Sequence, residues 1–161
     1  MAGTDRSANP VMSQTEETAS RPPPRSILFL CGRNSIRSPM AELLARKNLP
    51  AATFVTSAGV KPGERDPFVD KVLAEENLSL GERMPQRFEE LEDSYFDLII
   101  TLSPEAHHRA MELTRTHAVE VEYWPTFDPS VVEGTRDQIL AAYRELREYL
   151  KDNIARRFSG S

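Results

Sequence analysis

From Ser26 onward, short apolar runs alternate with longer amphipathic stretches. Ile27 to Leu30 is a run of strand length, flanked by breakers, that ends at Cys31. A polar loop follows, and a helix is predicted from Ser38-Pro39. Serine suits the N-cap, proline fits the first helical position, and Met40, Leu43 and Leu44 recur on one face. Thr53 to Thr56 reads as a second strand, with Ala58-Gly59 as the turn leaving it. Asp66-Pro67 caps a helix carrying Phe68, Val69, Val72 and Leu73. A loop with Gly81 and Pro85 leads to a short segment around Phe88 and Leu91. Leu98-Ile99-Ile100 is a third buried strand, Ser103-Pro104-Glu105 starts another helix, and Val119, Val121 and Tyr123 alternate as a fourth strand. Beyond the loop Trp124 to Gly134, Thr135 and Gln138 form a capping box. The last helix carries Ile139, Tyr143, Leu146, Leu150 and Ile154 on one stripe.

Four strands alternating with helices predict an α/β fold, a three-layer α/β/α domain around a four-stranded parallel sheet. Ligands in such folds bind at the carboxyl ends of the strands. Cys31 ends the first strand and the Trp124 loop follows the fourth, so both can lie on one sheet edge. The domain is expected to span residues 26–161. Residues 1–25 are polar, lack periodicity and end in Pro22-Pro23-Pro24, which predicts a disordered N-terminal extension.

Composition narrows the function classes. The 161 residues carry a net charge of −5 with acids and bases mixed, so there is no basic nucleic-acid face and no membrane-binding helix. The N-terminus lacks the apolar core of a signal peptide, and a cytoplasmic location is expected. The single cysteine excludes an internal disulfide and a cysteine-rich metal site.

The order strand, loop, helix around residues 26–46 suits an anion. Loop amides closing onto a helix N-terminus converge on one spot, and the helix dipole adds positive potential. Arg37, where the helix opens, supplies a planar fork for two phosphate oxygens. A cysteine in that field is favoured as a thiolate, the nucleophilic form. The plain alternative for a lone cysteine is an inert, buried hydrophobe.

A phosphate over a thiolate also needs an acid to protonate its leaving oxygen. Asp66-Pro67 reads as a helix cap. Asp128-Pro129 lies on the expected catalytic edge behind Trp124, Pro125 and Phe127, apolar neighbours that could desolvate a carboxyl and favour its protonated form. An ordinary turn is the competing reading for Asp128, and spacing alone does not choose between them. His107, His108 and His117 read as surface residues, since adjacent helical positions point about 100° apart and chelate poorly.

Cys31 to Pro39, CGRNSIRSP, resembles the phosphate loop of the low-molecular-weight protein tyrosine phosphatase family, which also includes thioredoxin-coupled arsenate reductases. The Thr56-Ser57-Ala58-Gly59 turn, Asp66-Pro67, Phe96-Asp97-Leu98-Ile99 and Asp128-Pro129 follow in the family's order, over residues 26–158. The resemblance implies that Cys31 attacks phosphorus to form a phosphocysteine. It also implies that Arg37 and the amides of Gly32, Arg33, Asn34, Ser35, Ile36 and Arg37 hold the phosphate. Asp128 would serve as acid and then base, and Ser38 would hydrogen-bond the cysteine sulfur. Asn34 would take a left-handed conformation supported by Ser57. Arg33, Trp124 and Phe127 are expected at the substrate rim, and neither metal nor cofactor is needed.

Four positions depart from the family pattern. Arg33 stands where glycine is common; if that position needs positive φ, arginine costs on the order of 1 kcal/mol or more. Ile36 replaces a second cysteine that protects the nucleophile in many members. Ser130 and Val131 stand where substrate-stacking tyrosines often occur, and no histidine lies near residue 83 to support Asn34. The leading expectation is hydrolysis of phosphomonoesters, phosphotyrosine proteins or small aryl phosphates. The alternatives are arsenate reduction with an external thiol, and a non-catalytic oxyanion or phosphoprotein binder whose loop Arg33 has spoiled.

Overall fold

The computed structural model describes residues 23–91 and 95–158; residues 1–22 of the expected extension lie outside them. The elements follow in the order β1 (Ser26–Cys31), α1 (Arg37–Asn48), β2 (Phe54–Gly59), α2 (Pro67–Ala74), β3 (Leu98–Thr101), α3 (Pro104–Leu113), β4 (Glu120–Tyr123) and α4 (Arg136–Phe158), with short 3-10 turns at Phe88–Leu91 and Pro129–Val131. All strands are parallel in the order β2-β1-β3-β4. Among the described residues no helix is long and apolar enough to cross a membrane.

The period of two in β1 builds two cores. Ile27, Phe29 and Cys31 face Met40 and Leu44 of α1, Val72 and Leu73 of α2 and the predicted stripe of α4. Leu28 and Leu30 face the other way, onto Phe88 and onto Ala106 and Ala110 of α3. This is the predicted three-layer arrangement. β1 is apolar without interruption because helices cover it on both sides.

Local signals mark most boundaries. Asp66 Oδ1 accepts from the Phe68 amide at 2.8 Å and Ser103 Oγ from the Ala106 amide at 3.2 Å, each followed by proline in the first turn. Thr135 and Gln138 form the reciprocal capping box. Two boundaries differ from expectation. Ala58-Gly59 is no turn but the end of β2, with Cys31 in register with Gly59. α1 begins at Arg37 with no side-chain cap, because Ser38 Oγ is directed at the Cys31 sulfur.

Charge pins α2 to α4. Glu75 receives Arg144 Nε at 3.0 Å and Arg147 Nη1 at 2.7 Å, and these bonds pull its carboxyl down to about 2 from the ordinary 4.5. A carboxyl lowered on folding stabilises the fold above its unfolded pKa, and that contribution is lost as pH falls through the folded value. Thermal melts taken downward from the ordinary carboxylate range to pH about 2 are therefore expected to fall more steeply in the wild type than in Glu75→Gln.

Candidate active site

At the carboxyl end of β1 the chain makes a tight loop, residues 31–37, before α1 begins. The carbonyls of Cys31, Gly32 and Arg33 accept hydrogen bonds from the amides of Val60 (3.1 Å), Lys61 (2.8 Å) and Gly63 (2.9 Å). With those oxygens held against the segment after β2, the peptide groups that carry them are fixed in orientation. A Cβ at Gly59 would lie 2.6 Å from the Arg33 carbonyl carbon and 2.7 Å from the Asn34 nitrogen, so the close approach requires glycine. Gly59→Ala is expected to cost about 1–3 kcal/mol through overpacking and to weaken phosphate binding, read by thermal melts and by calorimetric phosphate titration.

The nucleophile candidate is deeply set, with Cys31 2% exposed. Its sulfur meets the Asn34 amide at 3.2 Å and Ser38 Oγ at 2.9 Å. Asn34 Nδ2 donates to Ser38 Oγ at 2.8 Å, which leaves the serine proton for the sulfur or for the more distant Ala58 carbonyl at 3.3 Å. Asn34 adopts φ 57, the left-handed conformation that asparagine tolerates. Its Nδ2 also donates to Ser57 Oγ at 3.0 Å, and its Oδ1 accepts from the Gln86 amide at 2.9 Å. Arg33 is absent from the positive-φ residues, so it introduces no left-handed strain and the basis for a spoiled loop disappears.

Behind Ser57 stands a group that sequence reasoning missed. Ser57 Oγ donates to Glu42 Oε1 at 2.7 Å, and Glu42 is 0% exposed. Its charge is met by Arg46 at 2.9 Å and by Arg83. A glutamate within the apolar run Met40-Ala41-Glu42-Leu43-Leu44, with arginine at i+4, was the available signal, because a buried carboxylate requires partners.

Arg37 is half-buried and donates from Nη1 to the Thr126 carbonyl at 2.9 Å, tying the loop to the segment after β4. That segment delivers Asp128 to the cleft that Cys31, Gly32, Arg33, Ser35 and Ile36 also line, a space of about 770 Å³. Asp128 Oδ1 accepts from the Ser130 amide at 2.9 Å and the Ser130 hydroxyl at 2.7 Å. No hydrogen bond to Oδ2 occurs among the described residues. Asp66 lines the cleft as well, but its carboxylate is fully used: Oδ1 caps α2 and Oδ2 accepts from the Tyr143 hydroxyl at 2.7 Å. Burial, and then Asp66, push the Tyr143 phenol above its usual range, so it remains a donor.

Trp124 and Phe127 do not line this cleft, contrary to expectation. Trp124 packs edge-on against Phe29 at 6.0 Å, and Phe127, 43% exposed, lies beside Tyr149 of α4 at 6.4 Å. Packing the Trp124 ring against the core and the Phe127 ring beside α4 docks the loop, helped by Tyr149 donating to the Pro125 carbonyl at 2.7 Å. Phe68, Val131, Val132 and Ile139 supply the apolar wall instead. The histidines also differ in part. His108 and His117 are exposed, but His107 is half-buried, stacked on Tyr123 at 4.7 Å with Nδ1 3.0 Å from Thr101 Oγ1. Among the described residues no cluster of three His, Cys, Asp or Glu could hold a metal.

Comparisons with known proteins agree with this geometry. The family model described as low molecular weight phosphotyrosine protein phosphatase matches residues 26–154. A Bacillus licheniformis protein named arsenate reductase is 32% identical over 132 residues, covering 82% of this chain and 94% of its own. The Escherichia coli tyrosine phosphatase Wzb, crystallised with sulphate, superposes with a TM-score of 0.69 at 20% identity over 83% of this chain and 96% of its own. An Archaeoglobus fulgidus arsenate reductase superposes at 0.57 with 29% identity over 80% of this chain and 98% of its own.

Proposed function

The chain belongs to the low molecular weight phosphotyrosine protein phosphatase family, and from that premise we propose that it hydrolyses phosphomonoesters through a phosphocysteine at Cys31. The observation that carries this reading is that Asp128, with a free Oδ2, lines the same cleft as Cys31. The phosphoryl group sits over the loop amides and the Arg37 guanidinium, which offset the charge of the transition state. The Cys31 thiolate attacks phosphorus, the bond to the leaving oxygen breaks, and protonated Asp128 gives that oxygen its proton. Water then attacks phosphorus while the Asp128 carboxylate takes a proton from it. The S–P bond breaks, and the Ser38 hydroxyl, 2.9 Å from the sulfur, supports the departing thiolate. Phosphorylated proteins and small aryl phosphates are the substrates this reading expects.

The name borne by the curated relatives favours a second reading, arsenate reduction. With one cysteine in the chain, no second cysteine can join Cys31 in an intramolecular disulfide and so supply the two electrons that arsenic takes up. An external thiol must therefore attack the sulfur of a Cys31–arsenate adduct, releasing arsenite and leaving a mixed disulfide that a second thiol reduces. The single cysteine ranks this reading below hydrolysis. Parallel assays separate the two. EDTA-resistant release of phenol from an aryl phosphate supports the first; thiol-dependent arsenite formation without phenol release would replace it with the second.

A further inference from the structure

The charges that line the cleft are unequally committed. Arg37 is tied to Thr126, Arg65 forms a two-point pair with Asp70 at 2.8 and 3.2 Å, Asp66 holds Tyr143, and Asp128 holds Ser130. Arg33, Glu64 and Glu105 also line the cleft, and none is within hydrogen-bond or ion-pair distance of a described partner. The Arg33 side chain runs along Gly63, its Cδ 3.1 Å from where a Cβ there would stand, so it shares a wall with Glu64. That wall carries one charge of each sign.

Glu105 comes from a different element, the start of α3. The Ser103 cap and Pro104 fix it in the first turn of α3, where the helix dipole favours a carboxylate. Its Oε1 is 3.0 Å from the position a Gly32 Cβ would occupy, so the missing side chain beside Cys31 is the space the carboxylate uses. The neighbouring cations are otherwise placed. Arg109, one turn on, lies over Phe88 and pairs with Glu112, and Lys61, whose amide bonds the Gly32 carbonyl, does not line the cleft. His108, three residues on, is exposed and does not line it either.

We infer that Glu105 is a specificity-determining residue that selects phosphate esters whose leaving group carries a positive charge, such as a phosphorylated residue beside lysine or arginine. The inference rests on the phosphomonoesterase reading and deepens it. The phosphoryl group is held by the loop and Arg37, and the leaving group extends past Gly32, where Glu105 presents a carboxylate with no ion-pair partner among the described residues. An anionic leaving group meets repulsion there, and a cationic one meets attraction that salt screens.

The test is calorimetric binding of two aryl phosphonates that differ only in a para aminomethyl or a para carboxymethyl group, with turnover of the matching aryl phosphates measured beside it. At low ionic strength the wild type is expected to favour the cationic compound about fivefold or more, the size of one screened charge pair. Glu105→Gln should reduce that ratio to about twofold or less, and Glu105→Lys should invert it. Equal binding by the wild type, or a preference that survives in Glu105→Gln, overturns the inference. Selective binding of the cationic phosphonate with no turnover of any ester overturns the phosphatase reading and leaves the selectivity standing.

Discussion

Cys31→Ser protein is expected to retain phosphate binding while its kcat on an aryl phosphate drops by on the order of 10⁵ or more. Binding survives because the loop amides and Arg37 are untouched, and serine can keep contact with Ser38 and the Asn34 amide. Chemistry fails because a neutral hydroxyl is a poor nucleophile and, among the described residues, the hydrogen-bond partners of Cys31 are Ser38 and a backbone amide, neither of them a base. Calorimetric phosphate titration alongside steady-state kinetics separates the two properties. Loss of both would point to a collapsed loop, and loss of neither would remove Cys31 from the reaction.

The second large effect concerns Asp128. Asparagine keeps an oxygen that can accept from the Ser130 amide and hydroxyl, so Asp128→Asn should preserve the turn while removing the transferable proton. For phenyl phosphate, whose leaving group needs protonation, kcat is expected to fall by about 10²–10⁴. For a nitrophenyl phosphate the first step should suffer less, because nitrophenolate leaves unassisted. The second step still lacks its base, so phosphocysteine should accumulate. Equal losses on both substrates in a pre-steady-state burst experiment would argue that Asp128 acts on structure rather than on the leaving group.

The parts of this molecule that were legible in the sequence are those governed by local rules. β1 could be read from four apolar residues because both its faces are covered, and Asp66, Ser103 and Thr135 could be read as caps because capping involves only the next three residues. What could not be read depended on distant partners. Ser38 has the form of a cap, yet its oxygen serves the sulfur seven residues back. Gly59 has the form of a turn, yet its role is to let β2 run on against the backbone of Arg33 and Asn34. Trp124 and Phe127 looked like walls for Asp128 because they precede it, but tertiary packing sends their rings to Phe29 and Tyr149. Glu42 went unread because its partners Ser57, Arg46 and Arg83 converge only in the fold.

The structure also changes what Arg33 means. As an arginine at a loop position that often holds glycine, it raised the prospect of a distorted and inactive site. Its backbone avoids the left-handed region, which Asn34 takes instead, and its side chain contributes charge to one wall of the cleft. Ser130 supports Asp128, and Val131 and Val132 line the cleft without aromatic rings. On the phosphatase reading, a leaving group would meet Phe68, Tyr143, short aliphatic side chains and charge.

The central claim is that phosphorus becomes bonded to the Cys31 sulfur. The direct measurement is peptide mass spectrometry of Asp128→Asn protein denatured at alkaline pH during turnover of nitrophenyl phosphate. The peptide containing Cys31 is expected to gain one phosphoryl group that persists at alkaline pH and is absent from Cys31→Ser. A Cys31 peptide that stays unmodified while nitrophenol is released would contradict it.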